Sequence, residues 1–364
     1  MKTLEQLAGV VVLAVALADI FLTMLYARMD SGWLAMRFAR GIERVWVWIS
    51  RPFGRSRARF ASFCGPVTLL AVLGLWTGLL TLGSALVVHP ALGQAVRPSN
   101  GAASTDFVTA LYVGGASVSV VGSSGYSPQT PIYRMFFLLN SAVGMTFLSL
   151  VLTYLGQVYT ALLRRNALAL RIHGLSEAKG DGAELVCRLW PHGELSSGTS
   201  ELADLAAEVA VVKESHHFYP VLMYFRFEEP HYSVSRIVSV SLDAMSLVMS
   251  TLDDERFGAV KESSSVTLLW RSSLWLASSL AGNIAPASAG TKAPDVALWR
   301  RRYAAALERL RSAGIATVAD LERGFERYAE LRSRWDGLVR ALAPALAFST
   351  EEVDLPLAHA KNGH

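Results

Sequence analysis

"STDFVTALYVGGASVSVVGSSGYSPQTP", residues 104–131, lies between two long apolar stretches, and its reading decides the rest of the chain. Ser104, Thr105 and Asp106 are helix-starting residues, and Phe107, Ala110, Leu111 and Val113 then predict an apolar helix of about three turns. Such a helix is too short to cross about 30 Å of hydrocarbon. It ends in small residues and passes into a Gly/Ser run, then Pro128. Half a helix followed by irregular backbone at membrane depth is tolerated where it lines a water-filled cavity. The stretch therefore predicts a polar cavity walled by the segments on either side.

The composition places those segments in a bilayer. Of 364 residues, 52% are apolar and 18% charged, with a mean hydropathy of +0.34, a balance that a soluble domain rarely has. Residues 7–27, 63–88 and 131–163 are each long and apolar enough to span. The first also competes with a signal peptide, but its apolar core is longer than the usual h-region. The length leaves room for one further domain outside the membrane.

Arginine usage orients the chain. The loop at 28–60 carries Arg28, Arg37, Arg40, Arg44, Arg51, Arg55, Arg57 and Arg59, and the third span is followed by Arg164, Arg165 and Arg171. The connection at 89–130 has Arg97 alone. The expectation is an inner (plasma) membrane, multi-pass protein with its N-terminus outside and its C-terminal half cytoplasmic. Arg37, Arg40 and Arg44 share one face of an amphipathic segment with Trp33, Phe38, Val45 and Trp48 spread over the rest, as in a helix lying at the interface or in a simple connector. Asp19 is a charge near the middle of a span, and it reads either as functional or as a hydrogen-bonded residue at a helix interface.

In the third span Asn140, Val143, Thr146, Ser149, Thr153 and Gln157 recur at steps of three or four, a stripe suited to facing water or to bonding a neighbouring helix. Gly144 and Gly156 are candidate hinges or close-packing points.

The order of outer span, half-helix, Gly-containing loop and inner span resembles the pore-loop potassium channel superfamily, in its bacterial form with a single pore loop per chain. The family pattern T-x-T-T-V-G-Y-G-D-x-x-P falls on Ser117 to Pro128 without a gap, matching at Gly122, Pro128 and the hydroxyls of Ser117 and Ser119. Val120, Ser123, Ser124 and Gly125 depart from it. A rival register pairs Gly125-Tyr126 with the family's Gly-Tyr. The resemblance covers residues 60–165. It implies a filter at Val120, Val121, Gly122, Ser123, Ser124 and Gly125, a cavity lined by the third span, a homotetramer in the lipid bilayer and a permeant monovalent cation, K⁺ first, with no other cofactor. A filter replaces the ion's hydration shell with inward carbonyls, which needs residues at positive φ; a Ser there costs on the order of 1 kcal/mol more than Gly. Relaxed K⁺ selectivity is the expectation, and a non-conducting sensor or interaction protein on the same scaffold is the alternative.

Residues 166–349 show helical periodicity: Leu202/Leu205/Val209/Val212, Trp299/Tyr303/Leu307/Leu310, and a long stripe Leu321/Phe325/Tyr328/Leu331/Trp335/Leu338/Leu342 suited to a coiled coil or bundle helix. Residues 350–364 read as a loose tail. His216-His217, with Glu214, Glu228, Glu229 and His231 nearby, is a concentration of ligand-type side chains, but no spacing completes a metal set, and a helix end at Pro220 explains it as well. Cys64 and Cys187 read as packed thiols. Nothing points to an enzyme, a nucleotide site or nucleic-acid binding; any cytoplasmic ligand is left open. The expected architecture is an all-α membrane protein: a first span and Arg-rich helix (1–62), a module of outer helix, re-entrant pore helix, filter and inner helix (63–165), and a helical cytoplasmic domain (166–349).

Overall fold

A computed structural model describes residues 2–26, 32–50, 57–119, 122, 125–177, 180–195, 198–284, 295–345 and 353. The chain is mostly helical and divides into two compact units: Met1–Val45 with Pro66–Tyr159, and Trp46–Gly65 with Thr160–His364. The first span thus belongs with the half-helix region rather than forming a segment of its own, and residues 46–65 join the second unit.

The first unit contains α1 (Lys2–Ile20), which continues as a π-helical turn at Phe21–Leu25, and most of α2 (Trp33–Ser50). After the short α3 (Arg57–Ser62) come α4 (Cys64–Val88), the half-helix α5 (Phe107–Val118) and α6 (Pro131–Leu175). Three apolar helical stretches, Lys2–Leu25, Arg59–Ala91 and Pro131–Leu175, are long enough to cross a membrane. Small residues bring their backbones together. A Cβ on Gly9 of α1 would stand 2.7 Å from the Gly83 carbonyl oxygen of α4, and one on Gly114 of α5 would stand 2.6 Å from the Ala85 amide nitrogen. Around these contacts two apolar clusters form, one on Ala85, Val88, Ala110 and Val113, the other on Ala16, Ile20, Trp76 and Leu80.

Two three-residue strands flank α5. Strand β1 (Val96–Pro98) pairs antiparallel with β2 (Tyr126–Pro128), Arg97 opposite Ser127.

The second unit is a helical bundle: α7 (Gly182–Leu189), α8 (Gly198–Phe218), α9 (Val234–Thr251), α10 (Asp254–Lys261), α11 (Ser264–Ile284), α12 (Val296–Ser312), α13 (Leu321–Ser333) and α14 (Asp336–Ala345). Asp181, Asp253, Asp295 and Asp320 each accept a backbone N–H in the first turn of the helix that follows, which sets where four of these helices start. At the centre lies α9, packed by α7, α11, α13 and α14, with 16 of its 18 residues buried. It is apolar enough to count as a fourth span by length and composition. The stripes on α8 and α12 are buried as expected.

The long stripe at 321–342 is corrected: it is two helices. Tight turns close at Arg334 N to Leu331 O and Trp335 N to Arg332 O, so the buried face shifts from Leu338 to Val339. The physical reason is the pair of side chains at the turn. Trp335 donates its indole N–H to Ser246 Oγ at 3.1 Å, and the fully buried Arg332 reaches Asp243 at 2.9 Å and Asp336 at 3.2 Å. A single straight helix would turn one of them away from α9. The tail at 350–364 lies outside the described residues, apart from the buried Val353.

Candidate functional site: the half-helix and the long helix that follows it

Helix α5 starts at a strongly built cap. The Asp106 carboxylate accepts Thr109 N at 2.8 Å, Thr109 Oγ1 at 2.7 Å and Ser104 Oγ. These donors, Ser104 foremost, hold its pKa well below the usual carboxylate range. Fixing the N-terminus fixes where the other end points, and α5 ends at Ser119, whose N–H bonds Gly115 O. Its last carbonyls carry the negative end of the helix dipole.

Of the expected filter residues, Val120, Val121, Ser123 and Ser124 lie outside the described residues. Gly122 and Gly125 both adopt positive φ, +83° and +73°, the conformation that an inward-carbonyl loop needs and that Gly takes without strain. The far side of the loop is anchored. Ser99 N donates to Gly125 O at 2.7 Å, Gln129 N to Ala95 O at 2.8 Å, and Tyr126 sits in β2. The Tyr126 ring packs against the cluster formed by α4 and α5, and its hydroxyl accepts Ser104 N at 3.3 Å. An aromatic buttress thus stands three residues after the position where the favoured register looked for it.

Helix α6 separates the residues expected to act together. Asn140 is buried: its amide donates to Ser84 Oγ of α4 at 3.0 Å and to Ser117 Oγ of α5 at 2.9 Å, and Ser117 Oγ donates on to Gly114 O. Asn140 is a three-helix tie and stands apart from the other polar positions, because a buried amide must find partners and both hydroxyls lie on the packed side. Val143 shares that side, half-buried with Trp76, Val118 and Phe147. Gly144 is a close-packing point on an unbroken helix; a Cβ there would overlap the Val118 carbonyl oxygen. Thr146, Ser149, Thr153 and Gln157 are exposed on the opposite side. Thr146 and Thr153 return their hydroxyl protons to Ala142 O and Ser149 O, leaving oxygen lone pairs outward. A separate exposed face carries Leu138, Met145, Leu148 and Leu152.

Asp19 has a structural explanation. Its carboxylate accepts Trp76 Nε1 at 2.8 Å, Leu34 N at 3.0 Å and Ala35 N at 3.1 Å, so it caps the N-terminus of α2 and ties it to α4. The sequence signal was there: one carboxylate in a span needs N–H donors, and Trp76 is an indole N–H in the next span. Ser84 was overlooked because one hydroxyl in an apolar span carries no pattern.

In the second unit α8 ends at Phe218, before the turn Pro220–Tyr224. His216 is buried and His217 half-buried. Burial, followed by the Arg165 charge, pushes the His216 pKa down to about 3. Glu214 pairs with Lys213 and Glu228 with Arg59, while His231 stacks on His173 with ring centroids 4.4 Å apart. Among the described residues no group of three or more His, Cys, Asp and Glu is placed to hold a metal ion. Cys64 and Cys187 are buried thiols, and burial pushes the Cys187 thiol up to about 11, away from nucleophilic reactivity.

The chain is 20% identical over 242 residues to YdjJ of Bacillus subtilis (strain 168), described as an uncharacterized membrane protein, with 66% of this chain and 68% of that protein covered. No family model matches, and no solved structure matches. Together with its apolar helices, this makes the chain a mostly helical membrane protein.

Proposed function

We propose that this chain is one subunit of a homotetrameric, potassium-channel-like cation channel in the plasma membrane. Ions pass the loop Val120–Gly125 and a cavity faced by Thr146, Ser149, Thr153 and Gln157. The observation that carries this reading is the division of α6 into three faces. One face is used on α4 and α5 through Asn140, Val143 and Gly144; a second is apolar; the third is polar and turned away from the subunit's own helices. An isolated span in lipid gains nothing from an exposed row of Thr, Ser and Gln, whereas a helix around a water-filled axis does. The half-helix supports the same reading, since its capped N-terminus leaves the dipole's negative end at the loop, which favours cations. Ser123 and Ser124 in place of an aromatic and a Gly relax the fit around K⁺, and Tyr126 restores part of the packing behind the loop.

Planar-bilayer recording of the purified protein under bi-ionic K⁺/Na⁺ conditions tests the reading. Cation current with modest K⁺ preference is expected, and Thr153→Val should lower conductance. Strong K⁺ selectivity would mean that the loop holds its carbonyls rigidly by other contacts. A purified tetramer that passes no ions would leave the scaffold serving as a membrane-anchored sensor.

A further inference from the structure

Arg165, on the C-terminal part of α6, is only 2% exposed, and it has no carboxylate partner among the described residues. Its two Nη groups donate to the carbonyl oxygens of Leu222 at 3.0 Å and Phe225 at 3.1 Å, and its buried Nε–H meets no acceptor. Two carbonyl dipoles and the Phe227 ring, its centroid 5.5 Å from the guanidinium carbon, therefore face a fixed positive charge held out of water, with no counter-anion among the described residues. The guanidinium lines a narrow cleft that is open to solvent. Arg226, His216, Tyr232, Ser233 and Val234 line it as well, and among the described residues no Asp or Glu does.

Two of these residues bring further recognition chemistry. Val234 is the first residue of α9, and Ser233 does not cap that helix with its side chain; its Oγ lies 2.6 Å from Ser235 Oγ instead. An 18-residue helix N-terminus so placed adds N–H groups and the positive dipole end to the two guanidinium groups. His216 is 3% exposed. Its Nδ1 stands 2.9 Å from Val212 O, and a carbonyl only accepts, so Nδ1 carries the proton and Nε2 presents a lone pair. That Nε2 is buried and unpartnered. The cleft thus offers positive charge and N–H groups together with one buried acceptor that demands an O–H.

We propose that this cleft is an oxyanion site for a protonated phosphate, either hydrogen phosphate or the headgroup of a phosphomonoester. Arg165, Arg226 and the start of α9 take the charged oxygens, and His216 Nε2 accepts the P–OH hydrogen. A fully deprotonated anion such as sulfate leaves Nε2 unpaired and is discriminated against. The site stands apart from conduction: it is built from residues of the second unit, and its test needs no current.

The test uses the full chain in nanodiscs of zwitterionic phosphodiester lipid, titrated at pH 7 with inorganic phosphate and, separately, with sulfate, and followed by thermal unfolding and calorimetry. Saturable stabilisation by phosphate is expected, with sulfate weaker by about tenfold or more, the effect of leaving one buried acceptor unpaired. His216→Leu should bring the phosphate-to-sulfate ratio to about one while retaining sulfate binding through the guanidinium groups and helix. The wild-type comparison decides by itself should that variant fold poorly: no binding of either anion, or equal binding of both, overturns the proposal. Discs containing phosphatidic acid separate the sources, because a headgroup that reaches the cleft abolishes the response to added phosphate and a soluble ligand's site keeps it.

Discussion

Helices α6 and α9 are both long and apolar enough to cross a membrane, and they have opposite surroundings. In the most apolar window of α6 only 11% of the residues are buried, whereas in α9 the figure is 89%. The outward side chains of α6, Leu138, Met145, Leu148 and Leu152 among them, have no protein to cover them and need lipid or another subunit. In α9 the same kind of surface is met by four other helices, and its serines bond within the helix, as Ser246 Oγ to Leu242 O and Ser250 Oγ to Ser246 O. Hydropathy measures only what a helix would leave to water. It does not say whether lipid or protein takes that surface.

The contrast breaks most sharply on a buried charge. Leu242→Arg, at a fully buried α9 position, should cost more than about 4 kcal/mol and abolish cooperative unfolding of the second unit. Leu148→Arg on the open face of α6 should instead lower membrane insertion, at about 2.5–3.5 kcal/mol, and leave the second unit folded. A lipid-soluble photolabel should mark α6 and spare α9; labelling of α9 would make it a span and collapse the comparison.

Next in size is the charge α9 does accommodate through its neighbours. Arg332→Ala strips Asp243 and Asp336 of their buried partner and should cost about 3–5 kcal/mol in chemical denaturation, with Arg332→Met milder because it fills the space. Equal losses for both variants would show that the lost charge, not packing, sets the cost.

Within α6 the packed and open faces should differ at two glycines. Gly144→Ala forces backbone movement against Val118 and should cost 2 kcal/mol or more, on the order of an overpacked core. Gly156→Ala meets nothing within 4 Å and should stabilise by roughly 0.5–1 kcal/mol through helix propensity. Thermal melts of the two variants in one lipid compare them directly, and a destabilised Gly156→Ala would mean that a partner covers that face.

A further effect depends on pH. Burial, and then the Asp243 charge, raises the Asp181 carboxyl from its ordinary 3.8 to about 6. The folded state therefore holds this proton more tightly than the unfolded one, so its contribution is complete below pH 3.8 and is lost as pH rises through 6. Asp181→Asn keeps the helix cap without the ionisation. It should raise stability by roughly 3 kcal/mol at pH 7.5 and by none near pH 3.5, as read by melts across that range. A gain that does not vary with pH would point to the cap and away from the carboxyl.

Much of the first unit was legible because a bilayer leaves few solutions: an apolar run of 20 residues must be a helix, and a 12-residue one with Gly and Ser after it must stop within protein or water. The Ser104-Thr105-Asp106 start was legible for the same local reason, since capping is decided within four residues. The stripe on α6 was legible as a pattern but not as a surface. Periodicity put Asn140 with Thr146 and Thr153, yet Asn140 is turned to Ser84 and Ser117, residues 56 and 23 positions away. The second unit was legible as helices and not as a bundle. Its stripes say that each helix buries one face, while the choice of α9 as the centre and the division at Trp335 depend on Asp243 and Ser246, about 90 positions earlier.

What the sequence determined by itself is therefore which apolar stretches become long helices, the capped start of α5, and a Gly/Ser run placed between two of those stretches, because each follows from hydrogen bonding and hydropathy within a few residues. What only the tertiary structure decided is which partner each polar group found: Asp19 the N-terminus of α2, Asn140 two serines, Arg332 two carboxylates, and Arg165 two carbonyls and an open cleft. A buried polar group is stable only when donors and acceptors from distant parts of the chain meet it at about 3 Å, and no local pattern specifies that meeting.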